Sequence, residues 1–302
     1  MSFDNLPPQP SIHARADEYG AECIKRSRRA AASLRCKLDV PYGEHERQKL
    51  DIYLPDDGHG HDLPVFLFMH GGGWTHGYKE WCGFTAPALT DLPCIYVAVS
   101  YRLMPDAAFP TPVKDCLAAL KWVYDNIAEL GGSRERIFVG GHSAGGHLAA
   151  LMPLRADWLA EAELPAGVIR GVFCLSATLN RRMVNPAFAP AHVPLGSPTD
   201  VSPDSPIALA GGARAPFLIA WGGNEHARME RSGQQMADAL RRAKCKVDVL
   251  VFPGWDHFDT HLNNASSDAT WIRRVRAWMS PAAAPAPPNE APGRVGVIPA
   301  AE

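Results

Sequence analysis

The chain has 302 residues, 46% of them apolar, which is enough for one large core and suits a single α/β domain better than two compact ones. A formal net charge of −2 gives no nucleic-acid footprint, and the basic cluster Lys25–Arg29 reads as a solvated helix face. No apolar stretch approaches the roughly 20 residues needed to span a membrane, which excludes a spanning helix.

Residues 11–34 have helical composition, and the segment 1–40 is expected to include a helix that caps the site. Arg47–Leu54 alternates with period two, placing Leu50, Ile52 and Leu54 on one face of a strand. Pro64–Met69 and Cys94–Ser100 are continuous apolar runs and read as buried strands. Pro112–Leu130 repeats Val113, Leu117, Leu120, Val123 and Ile127 at helical spacing, with Pro112 in the first turn and Gly131-Gly132 as a stop. Arg136–Gly140 reads as a strand and Ala144–Met152 as a helix. Val168–Leu175 and Pro216–Trp221 are further strands. The helix Arg228–Ala243, the strand Val247–Phe252 and the helix Ala269–Met279 follow. This alternation predicts a mostly parallel sheet with helices on both faces, spanning about residues 41–280. Two stretches break the rhythm. Residues 177–212 carry no periodicity and are expected to form a lid or pocket wall. The Pro/Ala-rich tail 281–302 is of low complexity and expected to be disordered.

Gly141-His142-Ser143-Ala144-Gly145 has the G-x-S-x-G pattern of a nucleophile elbow, set between a strand and a helix. His70-Gly71-Gly72-Gly73-Trp74 follows a strand, and its consecutive glycines let backbone N–H groups turn toward a developing oxyanion. The amides of Gly72, Gly73 and Ala144 are the candidate donors. A serine hydroxyl needs a base, and the base needs a carboxylate to hold its tautomer. His257, directly after the strand 247–252, is the candidate base, with His261 as runner-up. Glu225 is the only acid on the loop after strand 216–221 and is the candidate third member. Asp256 competes, but sequence neighbours on a loop rarely point at each other, so Asp256 and Asp259 read as loop-forming or solvated. His70 is expected to brace the glycine loop, and His142 and His147 to pack around the elbow. His257 and His261 form an H-x3-H pair, but no third ligand is spaced to match, so no metal is expected. No organic cofactor is required either. Trp74, Trp81, Trp221 and Trp255 adjoin these loops and are candidates for an aromatic-lined substrate pocket.

These residues carry a family resemblance. Over roughly residues 40–279 the chain is similar to the α/β-hydrolase superfamily, in its hormone-sensitive-lipase-like and kynurenine-formamidase-like branch. The matching stretches are His70–Trp74, Ser100–Leu103 with Phe109-Pro110, Gly141–Gly145, and Asp256–Phe258. Gly222-Gly-Asn-Glu225, followed by Met229 and Arg231, resembles the acid segment of bacterial kynurenine formamidases, although Met229 stands where they have an aromatic residue. The Asp-Pro-Leu segment usual in hormone-sensitive-lipase-like esterases is missing. The resemblance implies the α/β-hydrolase fold, hydrolase chemistry and Glu225 as the acid. The substrate expected is a small, aromatic ester or N-acyl compound of formamide type. A carbamate or other xenobiotic amide or ester is the alternative for the same triad. A non-catalytic hydrolase-fold binding protein ranks lower, since serine, base and acid are all in place.

Seven cysteines stand at 23, 36, 82, 94, 116, 174 and 245, odd in number and without a C-x2-C pair. They read as free thiols in a reducing compartment. The start, MSFDNLPPQPS, lacks a basic stretch followed by an apolar core, so no signal peptide is expected and the expected location is cytoplasmic. The only partner expected is the small-molecule substrate. The oligomeric state is open, a homo-oligomer included.

Overall fold

The computed structural model describes residues 3–56, 60–180 and 204–280. Most of the irregular stretch 177–212, and the tail from 281, lie outside the described residues. In chain order the elements are α1 (Ala14–Ser33), β1 (Arg35–Pro41), β2 (Lys49–Leu54), β3 (Leu63–Met69), α2 (Ala86–Thr90) and β4 (Ile95–Val99). They continue with α3 (Thr111–Asn126), β5 (Gly132–His142), α4 (Ala144–Leu154), α5 (Ala156–Glu161), β6 (Ile169–Leu175) and α6 (Pro206–Leu209). The last are β7 (Phe217–Gly222), α7 (Ala227–Arg242), β8 (Val247–Phe252), α8 (Asp259–Leu262) and α9 (Thr270–Met279).

Among the described residues the strands form one eight-stranded sheet, in the order β1-β2-β4-β3-β5-β6-β7-β8. β2 runs antiparallel to both of its neighbours, and the pairs from β4 to β8 are all parallel. The continuous apolar runs are central strands because both of their faces are covered. In β3, Val65, Leu67 and Met69 enter one core layer with Val113, Leu117 and Leu120 of α3. Phe66 and Phe68 enter the opposite layer with Tyr19 of α1 and Trp271 of α9. Tyr96 of β4 and Phe138 of β5 flank Phe66 in register and face the same way. The exposed large apolar side chains, Leu38 and Val251, sit on the two edge strands, where one flank has no partner strand.

Three elements differ from the expected pattern. β1 has a mixed burial pattern and no clean alternation, as befits an edge strand only partly covered, with Cys36 and Val40 against the two core layers, and it falls almost wholly within the segment expected to stand apart at 1–40. β5 starts at Gly132 rather than Arg136, because Leu63 of β3 pairs with Gly132 and extends the ladder. The helix over 111–130 tightens into a 3-10 turn at Ile127–Leu130, ended by Gly131 in the left-handed region. The expected boundary near residue 40 does not divide the fold. α1 buries Tyr19, Cys23, Ser27 and Ala30, and the Ser27 hydroxyl accepts the Phe84 N–H at 2.9 Å.

Candidate active site

β5 ends at His142 and α4 begins at Ala144, leaving Ser143 on the turn with φ 54° and ψ −117°. A side chain at positive φ is strained and persists only where its surroundings hold it. Here the Ser143 N–H donates to the Leu175 carbonyl at 2.9 Å, and the Ser143 carbonyl accepts from His147 at 3.2 Å. The turn is tight because α4 starts hard against the end of β3. A Cβ on Gly145 would stand 2.1 Å from the Met69 carbonyl oxygen, so only glycine fits.

His257 lies in the loop after β8, and its Nε2 is 2.9 Å from Ser143 Oγ. Its Nδ1 makes a short contact with Glu225 Oε1, from the loop after β7. The other Glu225 oxygen accepts the Ser176 hydroxyl at 2.6 Å and the Gly222 N–H at 3.3 Å. Burial by itself would raise the Glu225 carboxyl. The opposing pull of His257, Ser176 and Gly222 wins and holds it below its ordinary value, so it is a carboxylate near neutrality. Ser143, Glu225 and His257 thus meet at the carboxyl ends of three parallel strands, where open α/β sheets place their crevices.

Asp256 does not compete for His257. It accepts the N–H groups of Phe258 (2.8 Å) and Asp259 (2.7 Å), and Arg15 of α1 reaches it at 3.2 Å. Asp259 pairs with the same Arg15 at 2.9 Å. The two acids therefore shape the loop and tie it to α1. His261, the runner-up base, is buried in α8 with its Nδ1 2.7 Å from the Tyr19 hydroxyl. His70 is buried, stacked on Tyr101 at 4.3 Å, with its Nδ1 2.7 Å from the Gly71 carbonyl. His147 reaches the Asp204 carbonyl at 2.8 Å through Nε2. His142 places Nε2 2.9 Å from the His257 carbonyl.

The glycine loop after β3 turns at Gly72 (φ 110°), whose carbonyl accepts from Thr75 (3.1 Å) and His76 (2.9 Å). A Cβ at Gly72 would fall 2.2 Å from the His76 oxygen. Gly72, Gly73 and Ala144 line one cavity of about 980 Å³ together with Ser143 and His257. Tyr19, Trp74, Trp81 and Phe258 give it aromatic walls, and His13, Arg15 and Ala16 bring the N-terminal segment to its rim. Two expected pocket residues are elsewhere. Trp221 points into the core layer of Phe217 and Ile219, as strand alternation demands, and lies under α7, where a Cβ on Gly233 would come within 2.7 Å of its ring. Trp255 stacks on Phe252 at 4.8 Å and is not among the residues that line the cavity. Adjacency to a catalytic-type loop in sequence does not determine on which side of a strand or turn a ring emerges.

Comparison with known proteins bears on the same region. The family model BD-FAE matches residues 50–164, which include the glycine loop and the elbow. Kynurenine formamidase from Danio rerio is 28% identical over 272 residues, covering 85% of this chain and 90% of that protein. Isoprenylcysteine alpha-carbonyl methylesterase from Arabidopsis thaliana is 26% identical, covering 77% of this chain. The chain spans little more than half the length of the plant methylesterases it matches, 52% and 58% of two of them. An esterase structure from Pyrobaculum calidifontis superimposes with a TM-score of 0.64 at 22% identity, over 89% of this chain and 93% of that one. The chain has the α/β-hydrolase fold. It resembles the esterase and arylformamidase-like branch, whose members hydrolyse ester or amide bonds.

Three residues around the site were not legible in the sequence. Ser176, at the end of β6, bridges Glu225 and the Thr260 hydroxyl, the latter at 2.8 Å. Thr260 Oγ1 is also 2.8 Å from the His257 carbonyl, and its single hydrogen serves either that oxygen or Ser176. A polar residue closing the apolar run VFCL is a weak signal for Ser176. Nothing local marks Thr260, or Tyr19, whose partners lie 123 and 242 positions away. All seven cysteines are free, with Cys36 and Cys245 half-buried and the rest buried. No helix among the described residues is long and apolar enough to cross a membrane.

Proposed function

We propose that the protein is a serine hydrolase that cleaves a small, aromatic ester or N-acyl bond of formamide type through an acyl-enzyme. The observation that carries this reading is the alignment Glu225–His257–Ser143, with a hydroxyl 2.9 Å from one imidazole nitrogen and a buried carboxylate on the other. His257 takes the Ser143 proton as Oγ attacks the acyl carbon, and Glu225 stabilises the imidazolium that forms. The Gly72, Gly73 and Ala144 amides receive the oxyanion. His257 then passes its proton to the leaving oxygen or nitrogen. A water, deprotonated by the same imidazole, releases the acid and restores Ser143. No step calls for a metal or organic cofactor. Tyr19, Trp74, Trp81 and Phe258 favour a flat substrate over a long acyl chain.

The test is a pair of rates, for p-nitrophenyl acetate and for N-formylkynurenine, each with a Ser143→Ala control. At least one substrate should be turned over, and Ser143→Ala should lower kcat by roughly 10⁴-fold or more. Ester cleavage alone would make the enzyme a carboxylesterase, and formamide cleavage an arylformamidase. Turnover of neither would overturn the aromatic acyl-substrate reading. Turnover that survives Ser143→Ala would overturn the serine mechanism.

A further inference from the structure

The N-terminal helix does more than wall the cavity. The Tyr19 side chain is buried, and its hydroxyl sits between two imidazoles, 2.7 Å from His261 Nδ1 and 3.3 Å from His142 Nδ1. His142 is the residue before the candidate nucleophile, and its other nitrogen is 2.9 Å from the carbonyl of His257, the candidate base. A carbonyl only accepts, so His142 Nε2 carries a hydrogen. Burial keeps His142 uncharged near neutrality, which leaves Nδ1 bare and makes it an acceptor. The Tyr19 O–H therefore donates to His142 Nδ1, and the Tyr19 oxygen accepts from His261 Nδ1–H. The remaining His261 nitrogen, Nε2, is buried with no partner among the described residues. With the hydrogen on Nδ1, that atom is a bare lone pair rather than an orphaned N–H. Every hydrogen in the chain of groups is thereby assigned in one direction, from α8 through α1 and the elbow to the base loop.

We propose that Tyr19 is a positioning residue: by holding His142 in its Nε2–H tautomer, it fixes the His257 backbone and so the aim of the base at Ser143. The proposal rests on the serine-hydrolase reading above. The alternative role for Tyr19 is packing alone, since its ring lies against Trp81 (5.6 Å) and Phe258 (4.8 Å). Tyr19→Phe separates the two roles, because it keeps the ring and removes only the hydroxyl. Without that donor, the bare His142 nitrogen has no hydrogen to accept, and the tautomer that donates to His257 loses its support.

The experiment compares the full-length protein with Tyr19→Phe, His142→Leu and the double variant, with p-nitrophenyl acetate or N-formylkynurenine, whichever the wild type turns over. Tyr19→Phe should lower kcat about tenfold and change KM by less than about twofold, because misaim of a base costs the transition state and not ground-state binding. His142→Leu should lower kcat at least as far, and the double variant should be no slower than His142→Leu, since both changes break one path. Independent losses that multiply in the double variant, or a Tyr19→Phe enzyme with wild-type kcat, would overturn the proposal. A readout without turnover is available from imidazole ¹⁵N shifts. Wild type should show His142 as a single Nε2–H tautomer and Tyr19→Phe a mixture; an unchanged tautomer counts against the proposal even if kcat falls. If Tyr19→Phe does not fold, the wild-type tautomer decides, and His142 in the Nδ1–H form would overturn the assignment. A wild type that hydrolyses neither substrate overturns the functional reading itself, which is a different outcome from an active enzyme indifferent to Tyr19.

Discussion

At the residue scale, Glu225 is defined by what surrounds it rather than by its neighbours in sequence. Its side chain is fully buried, and a buried carboxylate is costly unless its lone pairs are occupied. Ser176 fills one of them at 2.6 Å, from a strand-end position that carries no chemistry of its own. Ser176→Ala should therefore leave the fold intact but weaken the hold on the carboxylate. A fall in kcat of roughly tenfold is expected, with stability reduced by about 1–3 kcal/mol for the unsatisfied group. Steady-state kinetics and urea unfolding on the same preparation check both parts, and a fully active variant would mean that Glu225 is oriented without Ser176. Ser143, His257 and Glu225 were chosen as candidates from residue type, loop position and chain order, and the fold brings their side chains together. Trp221 and Trp255 were misplaced because the side on which a ring emerges follows strand alternation and local stacking, which proximity in sequence does not report.

At the scale of elements, the site depends on how closely α4 abuts the end of β3. Gly145 is the point of contact, with the Met69 and His70 carbonyl oxygens 2.1 and 2.5 Å from where a Cβ would stand. Both obstacles are backbone, so neither can swing away. Gly145→Ala should cost at or above the upper end of the ~1–3 kcal/mol typical of overpacking, despite alanine's better helix propensity. Urea or thermal unfolding measures it, and a stability equal to the wild type would show that β3 and α4 can separate at no cost. The glycine was readable as part of a pattern, and its small neighbours were expected. The element that the pattern missed is β1, an edge strand with mixed burial. Its pairing with β2 comes from backbone hydrogen bonds, which leave no periodic trace in side-chain type.

At the scale of the whole molecule, the site is surrounded by imidazoles that the fold keeps neutral. Burial pushes His70 down to about 3, burial and the neighbouring His257 do the same to His142, and burial lowers His261 well below its ordinary range. In the unfolded chain these groups titrate near 6.5. Between that value and the folded one, the unfolded state binds the protons, so stability is complete above about pH 6.5 and is lost as pH falls. Each such group contributes a slope of up to about 1.4 kcal/mol per pH unit. Asp51 and Glu80, raised by burial beside Lys79, act in the opposite direction, whereas His76 and His226, also lowered by burial, add to the three buried imidazoles. The melting temperature should be level above pH 7 and drop between pH 6.5 and 5, ahead of ordinary carboxylate titration. A midpoint that holds or rises over that interval would show that the buried histidines accept protons without unfolding.

What the amino-acid sequence determined by itself was everything written in local pattern. The alternating strands and helices, the glycine loop, the elbow, and the candidate base and acid on successive strand-end loops all follow from periodicity, small residues and chain order. The tertiary structure alone decided which side chains meet. Tyr19 reaches His142 across 123 positions and His261 across 242, Ser176 reaches Glu225 across 49, and Arg15 holds Asp256 and Asp259 from the far end of the chain. Such contacts bring together residues whose separation in sequence carries no signal. They exist because the sheet order lays β5, β6, β7 and β8 side by side and sets α1 over the loops at their carboxyl ends.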